Sequence, residues 1–334
     1  MVEEPSALLE LKNVSVSFPA GRMSGPAVSE KVGRFHAVRD VSLTLEKGTT
    51  LGLVGESGCG KTTLARAVVQ LQRIDKGTVV LNGRDLARLS PGELRRIRRS
   101  MQMVFQNPFA SLNPRMTVFD ALAEVFRTAG EKPGAIAGCI SGILEQVGLD
   151  PAMMKKFPHE FSGGQRQRIA IARALAAAPS LIVADEPVSS LDVSVAAQIL
   201  NLLRDLRDRL GLTMLFVSHD LSVVRFISHT IAVMYRGRIV ENGPASEVFT
   251  ASRHPYTAML LQSVPVLPDA PGTMPFFEKA EGYVRCTGLA GGCPYASRCS
   301  LVKEQCLVEE PRLTATETGA SHRCACFRAG ECSR

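Results

Sequence analysis

A glycine-rich turn near residue 55 has the residue types and spacing of a phosphate-binding loop. Residues 55–62 read G-E-S-G-C-G-K-T and match the pattern G-x-x-x-x-G-K-[ST]. In such a loop, backbone N–H groups surround nucleotide phosphates, the lysine reaches the β- and γ-phosphates, and the next hydroxyl binds Mg²⁺. We therefore expect Lys61 to bind phosphate and Thr62 to bind Mg²⁺. The predicted nucleotide-contacting residues of the loop are Gly55, Glu56, Ser57, Gly58, Cys59, Gly60, Lys61, Thr62 and Thr63.

A second candidate anion site has the sequence F-S-G-G-Q at residues 161–165. It precedes a run of good helix formers, residues 165–177, that ends before Pro179. A serine and two glycines at a helix start present N–H donors at the positive end of the helix dipole. A simple helix cap is the common alternative for such a triplet taken alone. The predicted anion-binding residues are Ser162, Gly163, Gly164 and Gln165.

Charged residues at the ends of apolar runs favour the functional interpretation. Asp185 and Glu186 follow the apolar residues 181–184, and His219 comes just after the apolar run 213–217. An aspartate there can hold Mg²⁺, and the adjacent glutamate can polarise an attacking water. The carboxyl ends of parallel strands share one edge of an open α/β sheet, where ligands gather. A lone histidine at a strand end is usually structural.

The pattern of apolar residues also predicts the strands and helices that position these residues. Residues 51–54 form a short apolar run ready to enter the first loop, and residues 63–70 predict the helix after it. The alternating runs 9–18 and 41–45 predict edge-type antiparallel strands. Residues 193–210 predict a helix whose core-facing stripe is Val195, Ile199, Leu202, Leu206 and Leu210.

In this order, the motifs resemble the nucleotide-binding subunit of an ABC transporter over about residues 8–265. The resemblance implies a head-to-tail pair of subunits, in which residues 162–165 of one subunit cover the ATP bound by the other. It also implies roles for single residues. These are Phe18 for adenine stacking, Gln106 and His219 for γ-phosphate sensing, Gln106 and Asp185 with Thr62 for Mg²⁺, Glu186 as catalytic base, and Asp192 in the D-loop.

The fold implied by this resemblance is an α/β P-loop ABC ATPase. It has a RecA-like core, an antiparallel β subdomain and a helical subdomain, followed by a small cysteine-rich C-terminal extension. We predict the nucleotide-binding domain over residues 1–250, with the helical subdomain at about 107–165. The extension then covers residues 251–334.

Composition places the chain among globular proteins with a substantial core. Apolar residues make up 45% of the 334, and no run of eighteen apolar residues spans a membrane. The first residues lack the basic and apolar regions of a signal peptide, so we expect a cytosolic, peripheral membrane protein. The net charge is +7. Arginines at 95, 96, 98 and 99 are compatible with a solvated helix face, anionic lipid or nucleic acid, and do not discriminate among them.

Two further segments resemble the ATP-binding subunits of dipeptide, oligopeptide and nickel importers. They are N-P-F-A-S-L-N-P at residues 107–114 and R-H-P-Y-T at residues 253–257. The first segment resembles subunits that pair with a second, non-identical ATPase, so a heterodimer is expected. The resemblance further implies two transmembrane permease subunits and an extracytoplasmic substrate-binding protein.

Three functions remain as alternatives. The first is the ATPase of a peptide importer, and the second is the same role in a nickel or metal-chelate importer. The third is a soluble ABC-type ATPase acting on nucleic acid or ribosomes. A single cassette without sustained heptads disfavours the third function, so no nucleic-acid partner is expected.

Seven of the nine cysteines lie between Cys286 and Cys332. Residues 292–299 resemble the C-terminal cysteine motif of many peptide-importer ATPases, which implies a [4Fe–4S] cluster. Zinc, whose ligand pairs are usually about two to four residues apart, and reduced thiols are the alternatives. In an extended segment Cys324 would point the same way as Cys326, so alternation cannot choose between them. The cluster ligands implied by the motif are Cys293, Cys299, Cys306 and Cys326.

Overall fold

The computed structural model of the protein describes residues 7–19, 34–107, 112–262, 291–316, 319–329 and 331. The strands are β1 (Ala7–Pro19), β2 (Arg34–Glu46), β3 (Thr50–Val54), β4 (Lys76–Leu81), β5 (Arg84–Asp85), β6 (Met101–Val104), β7 (Leu181–Asp185), β8 (Thr213–Ser218), β9 (Thr230–Tyr235), β10 (Arg238–Pro244), β11 (Thr314–Thr316) and β12 (Gly319–Cys324). The α-helices are α1 (Lys61–Val68), α2 (Pro91–Arg99), α3 (Val118–Ala129), α4 (Ile136–Gln146), α5 (Gly163–Leu175), α6 (Val193–Leu210), α7 (Leu221–Ile227), α8 (Ala245–Thr250), α9 (Pro255–Gln262) and α10 (Glu304–Val308). Residues 108–111, Cys286 and Cys332, which the sequence analysis used, lie outside the described residues.

The larger sheet carries the predicted phosphate-binding elements. Its order in the described part of the chain is β11-β12-β10-β9-β3-β8-β7-β6, and the strands from β9 to β6 run parallel. Every residue of β3, β7 and β8 is buried, as expected where helices cover both faces of a parallel sheet. The predictions of strands at 51–54, 181–184 and 213–217 are therefore confirmed.

Strand register brings the carboxyl ends of three strands to one edge of this sheet. Val54 pairs with Ser218, and Asp185 pairs with Val217. The loop after β3, the acidic pair after β7 and the histidine after β8 consequently leave the sheet side by side. This edge is where ligands bind in open α/β folds.

The smaller sheet, with order β2-β1-β4-β5, is antiparallel. The prediction of two antiparallel strands is confirmed, but the edge assignment of the first is wrong. β1 lies inside the sheet, because Leu9 pairs with Leu45 on one side and with Leu81 on the other. Its alternating pattern arises from having one face in the core, which an interior strand of an antiparallel sheet can also show.

Short helices fill much of the region between β6 and β7. Helix α3 begins with a capping box, in which Thr117 Oγ1 accepts from the Asp120 N–H at 3.1 Å and Asp120 Oδ2 accepts from the Thr117 N–H at 3.3 Å. Helix α6 has the bounds predicted from its periodicity. Its buried stripe differs, because Leu203 is fully buried and Leu210 is 47% exposed. The buried face is rotated around the helix axis from the predicted stripe, because adjacent apolar residues such as Leu202 and Leu203 allow more than one face and packing selects one of them.

The C-terminal part joins the larger sheet. β12 pairs antiparallel with β10, and β11 pairs with β12. Helix α9 begins at Pro255, within the His-Pro-Tyr sequence. None of the helices in the described ranges is long and apolar enough to cross a membrane.

Candidate functional site

The phosphate-binding loop joins β3 to α1 and depends on two glycines. Gly55 and Gly60 have φ angles of 157° and 111°. A Cβ atom would lie 2.1 Å from the Met234 carbonyl oxygen at the first position, and 2.2 Å from the Ala37 carbonyl oxygen at the second. Neither site therefore has room for a side chain. No described side chain caps α1, so nothing there competes with a phosphate for the first N–H groups of the helix.

Lys61 is buried at the start of α1, with only 4% of the residue exposed. Its Nζ donates to the carbonyl oxygens of Gly55 at 2.7 Å and Glu56 at 3.0 Å. A buried ammonium group needs acceptors, and in this arrangement the loop itself supplies them. Phosphate oxygens are stronger, charged acceptors, so a bound nucleotide can take their place.

Thr62 and Asp185 form a pair with the chemistry of a magnesium site. The Thr62 hydroxyl donates to Asp185 Oδ1 at 3.1 Å. Burial raises the pKa of Asp185, and the charge of Glu186 raises it further. A hydroxyl and a carboxylate oxygen are hard ligands of the kind that Mg²⁺ prefers, and a cation there would offset the cost of the buried charge. These residues fit the predicted ion.

Glu186 contacts the other two predicted catalytic residues, Gln106 and His219. Gln106 Nε2 donates to Glu186 Oε2 at 3.0 Å, and His219 Nδ1 lies 3.1 Å from Glu186 Oε1. The glutamate backbone has a φ of 49°, in the left-handed region, and its N–H donates to the Val217 carbonyl at 2.9 Å. This backbone bond fixes where the carboxylate leaves the sheet edge. The geometry suits a carboxylate that orients and deprotonates a water molecule.

The second candidate anion site begins helix α5. Ser162 Oγ accepts from the Gln165 N–H at 3.3 Å, and Gln165 Oε1 accepts from the Ser162 N–H at 3.0 Å. This capping box satisfies two groups and leaves the glycine N–H groups at the helix end. A Cβ atom at Gly164 would lie 2.4 Å from Val195 Cγ1, so the glycine allows α5 to pack closely on α6. Asp192 is the N-cap residue of α6.

Two exposed aromatic side chains lie on β1 and β2, and one of them lines a cavity beside the phosphate-binding loop. Phe18 on β1 pairs with Phe35 on β2, and the two residues are 36% and 60% exposed. A cavity of about 580 Å³ is lined by Phe35, Gly58 and Gly292, among others. The sequence analysis predicted adenine stacking by Phe18, and that role stays a prediction. Only the register between the two strands shows that both aromatics share one face.

Comparisons with known proteins agree with this site. A family profile described as ABC transporter matches residues 38–189, and one described as oligopeptide/dipeptide transporter, C-terminal region, matches residues 240–306. The oligopeptide transport ATP-binding protein AppF of Bacillus subtilis is 43% identical over 334 residues, 96% of each chain. This chain belongs to the ABC transporter ATP-binding family.

Other relatives of this ABC ATPase support the same assignment. The glutathione import ATP-binding protein GsiA of Escherichia coli is 48% identical over 266 residues, 79% of this chain and 42% of GsiA. A solved dimeric ATP-binding cassette with bound ADP and phosphate is 28% identical, with a TM-score of 0.61 over 71% of this chain and 98% of that one. The predicted ABC ATPase fold and the prediction of an ATP-hydrolysing enzyme are therefore confirmed.

The C-terminal extension of this ABC ATPase brings the four predicted cluster cysteines to one cavity. Cys293, Cys299, Cys306 and Cys326 all line it, together with His254. Burial raises the pKa of Cys293 to about 11 and raises that of Cys299 and Cys326, and the neighbouring cysteines contribute in the same direction. In the described ranges, no group of three or more His, Cys, Asp or Glu side chains is arranged to hold a metal ion. The expected iron–sulfur or zinc site is therefore not shown.

The structure separates Cys324 from Cys326. β12 ends at Cys324, which is 1% exposed and pairs with Glu241, whereas Cys326 lies beyond the strand. Alternation along an extended segment left the choice between the two cysteines open, and Cys326 is the one that lines the cavity with Cys293, Cys299 and Cys306.

Sequence reasoning also missed two contacts between the extension and the phosphate-binding loop. The backbone N–H of Glu56 donates to the Tyr256 hydroxyl at 2.8 Å. Arg298 forms two hydrogen bonds to the Glu56 carboxylate, both at 2.9 Å. The His-Pro-Tyr sequence marked Tyr256 as unusual, but no local pattern indicated its partner 200 residues away.

Proposed function

We propose that this ABC ATPase hydrolyses ATP to drive the import of dipeptides or oligopeptides. The observation that carries the proposal is similarity to AppF through the whole chain, including a C-terminal region of the oligopeptide/dipeptide transporter type. A nickel or metal-chelate importer is the alternative, since its ATP site would have the same residues.

Transport by cells distinguishes the two substrates. In a strain lacking this chain, uptake of a labelled tripeptide is expected to return with the wild-type gene and not with Lys61→Ala. Nickel uptake should be the same in all three strains. Restoration of nickel uptake alone would favour the metal importer.

The proposed mechanism uses the contacts at the edge of the sheet. Lys61 leaves the loop carbonyls to bind the β- and γ-phosphates, and Phe18 stacks on the adenine. Thr62 and Asp185, with Gln106, would hold Mg²⁺, which would supply positive charge to the phosphates.

Glu186 is proposed to accept the proton of the attacking water. The water oxygen bonds to the γ-phosphorus as the bond to ADP breaks. His219 and Gln106 hold the carboxylate in place and sense the γ-phosphate. Because their hydrogen bonds converge on one group, loss of the γ-phosphate can change all three side chains together.

A second ATPase subunit is proposed to complete each site. Residues 162–165 at the start of α5 would cover the nucleotide bound by the partner, together with Asp192. Two helix N-termini facing one polyphosphate balance its charge better than one. We propose that this second ATPase subunit is not identical to the chain. We also propose two permease subunits, contacted through the region after Gln106, and a substrate-binding protein on the opposite side of the membrane. The chain would then act at the cytoplasmic face of the cell membrane.

The oligomer requirement has a direct test. The purified chain alone should hydrolyse ATP slowly, and the rate per chain should rise steeply when the second ATPase subunit is added. A brisk rate that is unchanged by dilution of the chain alone would contradict the shared site.

We also propose that the extension, taken as residues 251–334, binds a [4Fe–4S] cluster through Cys293, Cys299, Cys306 and Cys326. Four thiols at one cavity supply the donor set that such a cluster requires. A zinc ion would need four ligands within about 2.3 Å of one point, whereas a cluster holds its thiolates farther apart.

Anaerobic purification tests this assignment. The wild type should be brown, with about four irons per chain. Cys326→Ser should lose most of the iron, while Cys324→Ser, a matched control two residues away, should keep it. A colourless wild-type preparation with one zinc would contradict the cluster.

A further inference from the structure

Glu56 is held from two directions by the C-terminal extension. Its backbone N–H donates to the Tyr256 hydroxyl. Its carboxylate accepts a hydrogen bond from each of the two terminal guanidinium nitrogens of Arg298. The paired side chains of Arg298 and Glu56 are 36% and 39% exposed. Glu56 is the second residue of the phosphate-binding loop, and its carbonyl oxygen accepts from Lys61. The extension thus contacts the same residue that contacts the phosphate-binding lysine.

Packing fixes the two residues that reach Glu56. Tyr256 is fully buried, and its ring centroid lies 4.6 Å from Tyr235 and 5.4 Å from Tyr295. Arg298 ends the short 3₁₀ turn Ala296–Arg298, which Tyr295 precedes. The three tyrosine rings therefore join the end of β9, the start of α9 and the turn that carries the arginine. Neither contact depends on a long mobile side chain alone.

Arg298 neutralises the negative charge of Glu56. The hydrogen bonds from Arg298 lower the pKa of Glu56, so its carboxylate is ionised at neutral pH. An ionised carboxylate in a phosphate-binding loop repels the polyphosphate unless a cation neutralises it. A bidentate guanidinium supplies that cation and also fixes the carboxylate geometry.

We propose that Arg298 and Tyr256 are positioning residues for ATP binding, through which the C-terminal extension holds the phosphate-binding loop and neutralises Glu56. The extension thereby sets the affinity of the ATPase for ATP. The proposal concerns ATP binding by this chain and does not depend on the transported substrate or on a metal in the extension.

A double-mutant cycle on the assembled transporter tests the pair. Equilibrium binding of Mg·ATP and the KM and kcat of hydrolysis would be measured for wild type, Arg298→Gln, Glu56→Gln and the double variant. Arg298→Gln should raise Kd and KM for ATP roughly 1.5- to fivefold, the range for a partly exposed ion pair, with little change in kcat. Glu56→Gln should bind ATP at least as tightly as wild type. The double variant should resemble Glu56→Gln, because no unpaired carboxylate remains.

Controls separate this role from simple folding. Lys303→Gln removes a more exposed cation from the same extension and should leave ATP binding unchanged. Arg298→Lys should recover part of the affinity, since it keeps the charge without the bidentate geometry. Tyr256→Phe removes only the acceptor for the Glu56 N–H and should raise KM about twofold to threefold.

Two results would overturn the proposal. One is an unchanged Kd for ATP in Arg298→Gln. The other is an equal loss of affinity from Arg298→Gln whether residue 56 is Glu or Gln, because the arginine would then act without its proposed partner.

Discussion

In the nucleotide site, Lys61 begins a helix and Asp185 and His219 lie at the ends of buried strands, whereas three of the four candidate cysteines in the C-terminal extension lie outside regular helices and strands. Asp185 ends β7, and His219 follows β8. By contrast, Cys293 and Cys299 flank a short 3₁₀ turn, and Cys326 lies past the end of β12. The geometry of the first region is fixed by a rigid parallel sheet. The geometry of the C-terminal extension depends on long-range packing. Substitutions in the nucleotide site should therefore change the rate of ATP hydrolysis, and substitutions in the extension should change the affinity for ATP.

The largest effect is expected from Glu186→Gln. It removes the proposed general base, whose contribution is typically about 10²- to 10⁴-fold in rate, and leaves the phosphate contacts intact. ATP hydrolysis by the assembled transporter should fall by that factor, while ATP binding measured at equilibrium should persist. Glu145→Gln, an exposed carboxamide substitution on α4, is the control and should retain the wild-type rate. Wild-type hydrolysis by Glu186→Gln would show that another group activates the water.

A second substitution tests the close packing behind Ser162. Gly164→Ala places a Cβ atom 2.4 Å from Val195 Cγ1, so the Val195 side chain or the two helices must shift. We expect a loss of about 1–3 kcal/mol in the free energy of unfolding, measured by denaturant titration. Gly142→Ala, in α4 with no heavy atom within 4 Å of the added carbon, should be neutral or stabilising. Equal stability of the two variants would contradict the helix contact.

The pH dependence of stability tests whether Asp185, the proposed magnesium ligand, destabilises the nucleotide-free protein when it is ionised. The pKa of Asp185 is raised in the folded protein by burial, so the folded state binds its proton more tightly than the unfolded state does. The nucleotide-free protein should therefore lose stability as pH rises from the usual aspartate pKa through the folded-state pKa. Asp185→Asn should abolish Mg²⁺-dependent hydrolysis yet raise the melting temperature of the nucleotide-free protein at neutral pH. A lower melting temperature for this variant would show that the carboxylate is stabilising.

The smallest effect is expected where the two regions meet. Ser297→Ala changes a side chain in the turn that carries Arg298, without removing the arginine itself or a proposed cluster ligand. The KM for ATP should rise by less than it does for Arg298→Gln, and kcat should stay near the wild-type value. An effect larger than that of the arginine variant would place the coupling elsewhere in the extension.

The motifs of the nucleotide site could be predicted because their chemistry is local. A glycine-rich turn between a strand and a helix, and an acidic pair at a strand end, have recognisable sequences. The edge position of β1 was predicted wrongly, because alternation reports one buried face and not the number of neighbouring strands. The buried face of α6 was predicted wrongly, because neighbouring apolar residues such as Leu202 and Leu203 allow more than one face and only packing selects one.

By itself, the sequence determined the phosphate-binding loop, the acidic pair after β7 and the histidine after β8, because the fold places strand ends at one edge whatever the intervening loops contain. Only the tertiary structure decided that Phe35 lies beside Phe18, that Cys326 and not Cys324 lines the cysteine cavity, and that Arg298 pairs with Glu56. These contacts join residues far apart in the chain. Their geometry follows from strand register and ring packing, which the order of residues along a single segment does not encode.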